Sequence, residues 1–409
     1  MQRCKQNYSK KKIFKILFII IATAFVFFGL LFWNVETANG IKTGLAFCCE
    51  ILIPSIFPFM MLSIFMVKSG LSYEISKIID PFVKALFALP GSTGITILIG
   101  LLGGYPTGAR SIRSLVEKKE ISHEQAQRML YFTVGAGPAF TITVVGCGLL
   151  KSYQIGLILF ASQIIASLLI GITLGINNKK TLKNINSTNN QPLAKTNVCN
   201  AFIESCSDAT DGMITMCSLV VLFCAVSAII KSTQIENLII IFLTSFGLSN
   251  NISKSILPIL LEIVSGLKEC VNLQIPLELI SFALGWAGLC VHFQIWESMR
   301  NIKFSKLKFI FSRLIHGILS AVICYLILLS LPVTITAFNT DNSRPTTFNA
   351  YSFTSGSLAL ILLCACFLST LTPKIINSKG RENKKTYSFK INSKKMLSNM
   401  IKKFKFNSK

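Results

Sequence analysis

The sequence predicts an all-α polytopic membrane protein: about eight transmembrane helices plus two re-entrant segments, arranged as an inverted repeat. Three observations carry this expectation. The 409 residues are 52% hydrophobic and 14% charged, whereas soluble domains carry about 25% charged residues. Apolar runs near the roughly 20 residues a bilayer crossing needs recur along the chain. Each half also holds a shorter run, interrupted by Gly and Pro, that cannot cross alone.

The mean hydropathy is +0.60 and the net charge +24. The basic residues sit in the tails and between the apolar runs, so they report topology and contact with anionic lipid rather than nucleic-acid binding. Residues 1–15 carry Arg3, Lys5, Lys10, Lys11, Lys12 and Lys15 and are placed in the cytoplasm. The first helix, 16–33, follows. It ends at Phe32-Trp33-Asn34 without an A-x-A cleavage site, so it reads as a retained helix. A loop is expected over 34–44, where the charges are Glu36 and Lys42, then a second helix over 45–67, kinked near Pro54 and Pro58. Over 68–93, Ile75, Ile78, Ile79, Phe82 and Phe87 predict an amphipathic surface helix interrupted near Pro81.

Residues 94–109 are the first re-entrant segment. Ile95–Leu102 is too short to span, and Gly100, Gly103, Gly104, Pro106 and Gly108 free backbone groups that lipid cannot satisfy. Both flanks are basic (Lys77 and Lys84 before; Arg110, Arg113, Lys118, Lys119 and Arg128 after), which favours entry and exit on the cytoplasmic side. Helices are expected over 129–150, with Gly135-Ala-Gly137-Pro138 in its first part, and over 155–176. The first repeat therefore spans 45–176, and the polar stretch 177–200 reads as a cytoplasmic linker.

The second repeat is placed at 201–331. Glu204, Asp208 and Asp211 read as solvated residues preceding a helix over 212–230. Leu238–Phe246 is too short to span. The second re-entrant segment lies near 255–267 and contains Pro258, Glu262 and Gly266, and Lys268 and Glu269 read as a local ion pair. Helices follow over 279–297 and 309–331, with Arg313 and His316 expected to face the inner leaflet. A last helix is expected over 353–373, then a basic cytoplasmic tail over 374–409. At a constant offset of 150, Phe132-Thr-Val-Gly135 meets Phe282-Ala-Leu-Gly285, and Leu157, Ser162, Ile165 and Leu169 meet Leu307, Ser312, Ile315 and Leu319. Three crossings per half invert the second copy relative to the first.

Several function classes find no support. There is no GxxxxGK[ST] phosphate loop, no HExxH, and no Ser/His/Asp or paired-carboxylate set, so the chain is not expected to be an enzyme. The thirteen Cys form no CxxC pair and read as small buried hydrophobes; no metal or cofactor is expected.

Leu52-Ile-Pro-Ser-Ile-Phe-Pro-Phe59, Gly103-Gly-Tyr-Pro-Thr-Gly-Ala-Arg110 and Gly135-Ala-Gly-Pro138 resemble the YlbJ/SpoVV family of sporulation integral membrane proteins. Those proteins carry two copies of a Gate, or nucleoside-recognition, domain. The resemblance covers roughly residues 15–330 and is more specific in the first half. It implies a protein of the mother-cell-derived outer forespore membrane that moves dipicolinic acid toward the forespore. It also leaves room for a nucleoside or another organic anion, and for other sporulation membrane proteins as partners. A morphogenetic scaffold acting through the basic tails is the competing expectation.

The candidate solute site gathers Gly103, Gly104, Tyr105, Pro106, Thr107 and Gly108 at the first tip with Gly135, Gly137 and Pro138, where amides freed by a helix break suit an anion. Arg110 is a candidate carboxylate partner, since a guanidinium fork pairs such groups bidentately; alternatively it marks the cytoplasmic side. Glu262 is a candidate proton or cation site, because an acid at membrane depth is costly unless used; alternatively it is an interfacial Glu on a shallow segment. His292 is either a proton-linked switch or a hydrogen-bonded core residue.

Overall fold

A computed structural model describes the backbone of residues 10–177 and 197–330, and their side chains except at 10–15, 18 and 71–77. Most of the expected linker 177–200, the loop 332–352, the helix 353–373 and the tail 374–409 lie outside the described residues. Everything described is helix or connection. Among the described residues, five helices are long and apolar enough to cross a membrane, and a sixth candidate is a helix pair bent by 101°.

The first half opens with α1 (Lys10–Phe32) and α2 (Asn34–Phe47). A π-helical turn, Cys48–Leu52, joins α2 to α3 (Ile53–Lys68), making one span of 35 residues. The second half opens with a single helix of equal length, α9 (Val198–Ser232). The loop expected over 34–44 is thus helix. Gly40 and Gly44 explain this: a Cβ at either would meet Cys224 or Ala228 of α9 at about 3 Å, so α2 is pressed onto that helix. Neither proline breaks the span. Pro54 falls in the first turn of α3, where an amide is dispensable, and the π turn lies immediately before it. Likewise the stretch 204–211 is part of α9 rather than an approach to it.

In each half a short helix then leads to two pairs. The first half has α4 (Leu71–Phe87), the pair α5 (Gly94–Gly103) and α6 (Tyr105–Glu117), then α7 (His123–Phe132), a π-helix over Ala139–Leu149, and α8 (Tyr153–Asn177). The second has α10 (Ile235–Ser245), the pair α11 (Asn250–Leu261) and α12 (Ile263–Asn272), then α13 (Leu277–Trp286), α14 (Gly288–Ser298) and α15 (Lys306–Ser330). Helix α4 runs through Pro81 uninterrupted. Val83 and Phe87 beyond the proline are buried, which offsets the lost amide bond, while Ile78 and Phe82 stay exposed. The helix expected over 129–150, with a break at Gly135, Gly137 and Pro138, is non-helical at residues 133–137. The expected helix 279–297 is divided too, at Ala287-Gly288, where both residues take positive φ.

The pairs α5–α6 and α11–α12 are hairpins. A Cβ on Gly108 would lie 3.0 Å from Cα of Gly100, and one on Gly266 would lie 2.7 Å from Cα of Ile259. In a continuous helix residues seven or eight apart are separated by about 10–12 Å, so the chain folds back sharply at Gly104 and at Glu262.

The halves interlock where α8, α13 and α15 cross. Gly285 of α13 and Gly317 of α15 allow backbone contact, a Cβ on Gly285 lying 2.6 Å from Cα of Gly317. Gln163 of α8 donates to the carbonyl of Ser281 on α13 at 3.0 Å. Arg313 of α15 donates to the carbonyls of Tyr131 and Val134, at the end of α7. His316 lies 2.9 Å from the Ser167 hydroxyl. Arg313 and His316 are therefore fully buried rather than turned to the inner leaflet. Both sit one helical turn apart on the face of α15 that also presents Gly317 and Ser320 to the core. Arg313 stands 150 positions after Gln163, as Ser281 stands after Tyr131.

Candidate functional site

The four breaks meet in pairs around one cavity. In the first half Gly137 presses on the Gly104 tip; a Cβ there would lie 2.7 Å from the Leu102 carbonyl and 3.0 Å from the Gly104 amide. In the second half Gly288 presses on the Glu262 tip, its Cβ position 3.1 Å from the Ile263 amide and 3.4 Å from Cα of Glu262. Between these pairs lies a mainly apolar cavity with about 40 Å³ of space for water. That volume holds a few waters, so a larger solute requires the surrounding helices to part.

Six of the sequence-derived site residues line this cavity: Gly103, Gly104, Tyr105, Pro106, Gly137 and Glu262. The other six lie beside it. Thr107 is buried, its hydroxyl donating to the Gly103 carbonyl at 3.0 Å across the tip. Gly108 packs against Gly100 and the Thr133 carbonyl. Gly135 has open space where a Cβ would project, so no close approach requires glycine there. Pro138 precedes the π-helix. His292 is buried in α14 between the Trp286 and Phe309 rings, its Nδ1 2.6 Å from the Gly288 carbonyl. Arg110 points from α6 to α9 and α14, donating to the Asp208 carbonyl at 3.1 Å and lying 3.7 Å from the Glu297 carboxylate.

Sequence reasoning missed Ser55, Met216 and Gln294, the lining residues with polar or sulfur side chains that α3, α9 and α14 add. Ser55 was within reach, since it sits between Pro54 and Pro58. Met216 and Gln294 had no signal beyond their place in apolar helices. Ion pairing also differs from expectation. Glu269 pairs with Lys231 at 3.8 Å, and Glu204 and Asp208 pair with Lys68 at 3.1 and 2.8 Å.

The two hairpin tips differ in one respect. Glu262 is the N-cap of α12, and its carboxylate accepts from the Val264 amide at 3.0 Å, the Ser265 amide at 2.7 Å and the Ser265 hydroxyl at 2.8 Å. At the matching point before α6 stands Gly104, and no side chain caps that helix. First-turn amides have no intrahelical partner, and the positive end of the helix dipole adds to them. Pro106 fits this first turn because it needs no amide partner. Glu262→Ala is expected to cost about 1–2 kcal/mol, the scale of a lost N-cap. Glu262→Gln, which keeps one acceptor oxygen, should cost less. Thermal unfolding of the purified protein in detergent measures both, and equal melting of the alanine variant and the parent would mean that the cap is idle.

The fold and site together define a polytopic, all-helical integral membrane protein with paired helix breaks around a central cavity. The chain is similar to the sporulation integral membrane protein YlbJ of Bacillus subtilis (strain 168), with 23% identity over 339 residues, covering 76% of this chain and 83% of that protein. No family model matches the chain, and no solved structure matches it.

Proposed function

We propose that this chain is a sporulation membrane carrier. It moves a small organic anion, dipicolinate by its family resemblance, from the mother cell toward the forespore across the outer forespore membrane, without chemically changing it. The observation that carries the reading is the unequal capping of the two tips. In the second half the chain supplies its own carboxylate, Glu262, to the exposed amides of α12. In the first half the matching position is Gly104, and the amides of α6 open beside the cavity. A solute carboxylate placed there repeats for α6 what Glu262 does for α12. Breaks at membrane depth that line a cavity are the usual construction of a carrier site.

An inverted repeat supports the same reading. A two-fold relation makes every contact between the halves occur twice with the roles exchanged. The bond from Gln163 to Ser281 and the bond from Arg313 to Tyr131 are such a pair, at the offset that also aligns Phe132–Gly135 with Phe282–Gly285. Gly137 and Ala287, both at breaks, share that offset too. In this arrangement the hairpins are re-entrant, both termini are cytoplasmic, and the chain crosses eight times. Position 118, just beyond α6, is then cytoplasmic. A cysteine placed there on a Cys-free background should react with an impermeant maleimide only from the cytoplasmic side. Reaction from the outer side would end both the hairpin topology and the inverted repeat.

Uptake of radiolabelled dipicolinate into proteoliposomes, with the dipicolinate content of spores from a deletion strain, tests the function directly. Glu262→Gln should flatten the pH dependence of uptake if that carboxylate carries a coupled proton. A second reading, an uncharged solute such as a nucleoside, is favoured by one observation: among the described residues lining the cavity, Glu262 is the ionisable acid and no Lys, Arg or His joins it. Nucleosides that block uptake, with no dipicolinate counterflow, would select that reading. Function that survives cavity substitutions but is lost on removing residues 374–409 would select a scaffold instead.

A further inference from the structure

Arg110 was a candidate for holding solute, yet its charge is directed elsewhere. Three helices leave the cavity in parallel steps. On α6, Pro106 lines it and Arg110 is four residues on; on α9, Met216 lines it and Gly212 is four residues back; on α14, Gln294 lines it and Glu297 is three residues on. At 1.5 Å per residue these steps are about 4.5–6 Å, one helical turn. The three second residues meet there. A Cβ on Gly212 would lie 2.7 Å from Cζ of Arg110, so the guanidinium rests on bare α9 backbone. Its nitrogens reach the Asp208 carbonyl and the Glu297 carboxylate. Farther out, Lys68 at the end of α3 pairs with Asp208 and Glu204 of α9. Side-chain exposure rises outward, from 21% at Arg110 to 66% at Glu204. Arg110 and Lys68 belong to the first half of the chain and all three acids to the second; Arg300 of the second half also lies 3.8 Å from Glu297, on the more exposed side.

We propose that Arg110 and Lys68 form an ion-pair latch between the halves, closing the cavity on this face and separating when the carrier opens to it. The latch rests on the carrier reading for its purpose, but its presence is measurable without any solute. Charge pairs of opposite origin, partly desolvated at Arg110 and more exposed at Lys68, hold two bodies together, and both layers must part for them to rock.

The test places a cysteine at cavity-lining Ser55 of a Cys-free full-length protein in membrane vesicles. A membrane-impermeant maleimide is then added from the face bearing Arg110. Arg110→Gln should raise the labelling rate roughly tenfold, the scale of one lost charge-assisted contact in a two-state equilibrium. Gly212→Ala should raise it as well, because the new methyl displaces the guanidinium while leaving the charge in place. The exchange Arg110→Glu with Glu297→Arg should bring the rate back toward the parent. Labelling indifferent to both Arg110→Gln and Gly212→Ala in normally inserted protein overturns the latch, as does an exchange variant that stays fast. Dipicolinate uptake by the same vesicles separates the two ideas. Uptake with indifferent labelling removes the latch alone, and a labelling change without uptake of any solute keeps the latch and removes the proposed cargo.

Discussion

Replacing Gly104 by leucine is expected to abolish the proposed solute movement while the protein still inserts and accumulates. Gly104 has φ +87° and ψ 177°, a region that is essentially glycine's alone and costs other residues of order 1–3 kcal/mol. The obstacle is backbone conformation rather than space, since the nearest atom to its Cβ position is the Gly137 amide at 3.8 Å. A side chain would therefore force the tip to turn, carrying Tyr105 and the opening amides of α6 away from the cavity. Gly108→Leu should fail for a different reason, its Cβ position lying 3.0 Å from both Cα of Gly100 and the Thr133 carbonyl. Gly135→Ala is the matched control and should be nearly neutral, as nothing lies within 4 Å. Uptake in proteoliposomes and spore dipicolinate content read all three. A Gly104→Leu protein with full uptake would remove the tip from the site.

Arg313→Met is expected to be the most destabilising single substitution in the described region. The guanidinium is fully buried, and among the described residues no carboxylate lies within ion-pair distance of it. Its partners are the carbonyls of Tyr131 and Val134, at the negative end of α7. Loss of two charge-assisted bonds, with the Val134 carbonyl left buried and unpaired and the Tyr131 carbonyl half-buried, should cost about 3–5 kcal/mol even after the relief of a buried charge. Arg313→Lys should recover part of this, because an ammonium lacks the planar fork that spans two acceptors. Gln163→Met, which removes the neutral counterpart to Ser281, should cost nearer 1 kcal/mol. Thermal unfolding in detergent ranks the three. If Arg313→Met melts no lower than Gln163→Met, the fork does not hold the break in α7.

Much of the site was legible because its requirements are local. Gly103-Gly104-Tyr105-Pro106 states its own break, since glycines and a proline in a short apolar run cannot make a straight lipid-facing helix. Pro258 and Glu262 mark the second hairpin in the same way. The break at Ala287-Gly288 was missed, because a single Ala-Gly step in an apolar run is ordinary for a packed membrane helix. Gln294 and Met216 were missed because a residue that lines a cavity and one that lines a core look alike along a helix.

Composition, apolar run length and the placement of basic residues determined from the sequence alone that this is an all-helical membrane protein, and that its chain turns back at Gly104 and near Glu262. These follow from the cost of unpaired backbone groups in hydrocarbon, which each segment meets by itself. Only the tertiary structure decided which charges are used and where. Arg110 lies on the amphipathic α6 and Arg313 on the apolar α15, and nothing local names the partner of either. Packing sends one to Glu297 and Asp208 beyond the cavity and buries the other against the carbonyls of a broken helix. A charge takes its role from the partners that desolvate it, and those partners lie nearly 100 to more than 180 positions away in sequence.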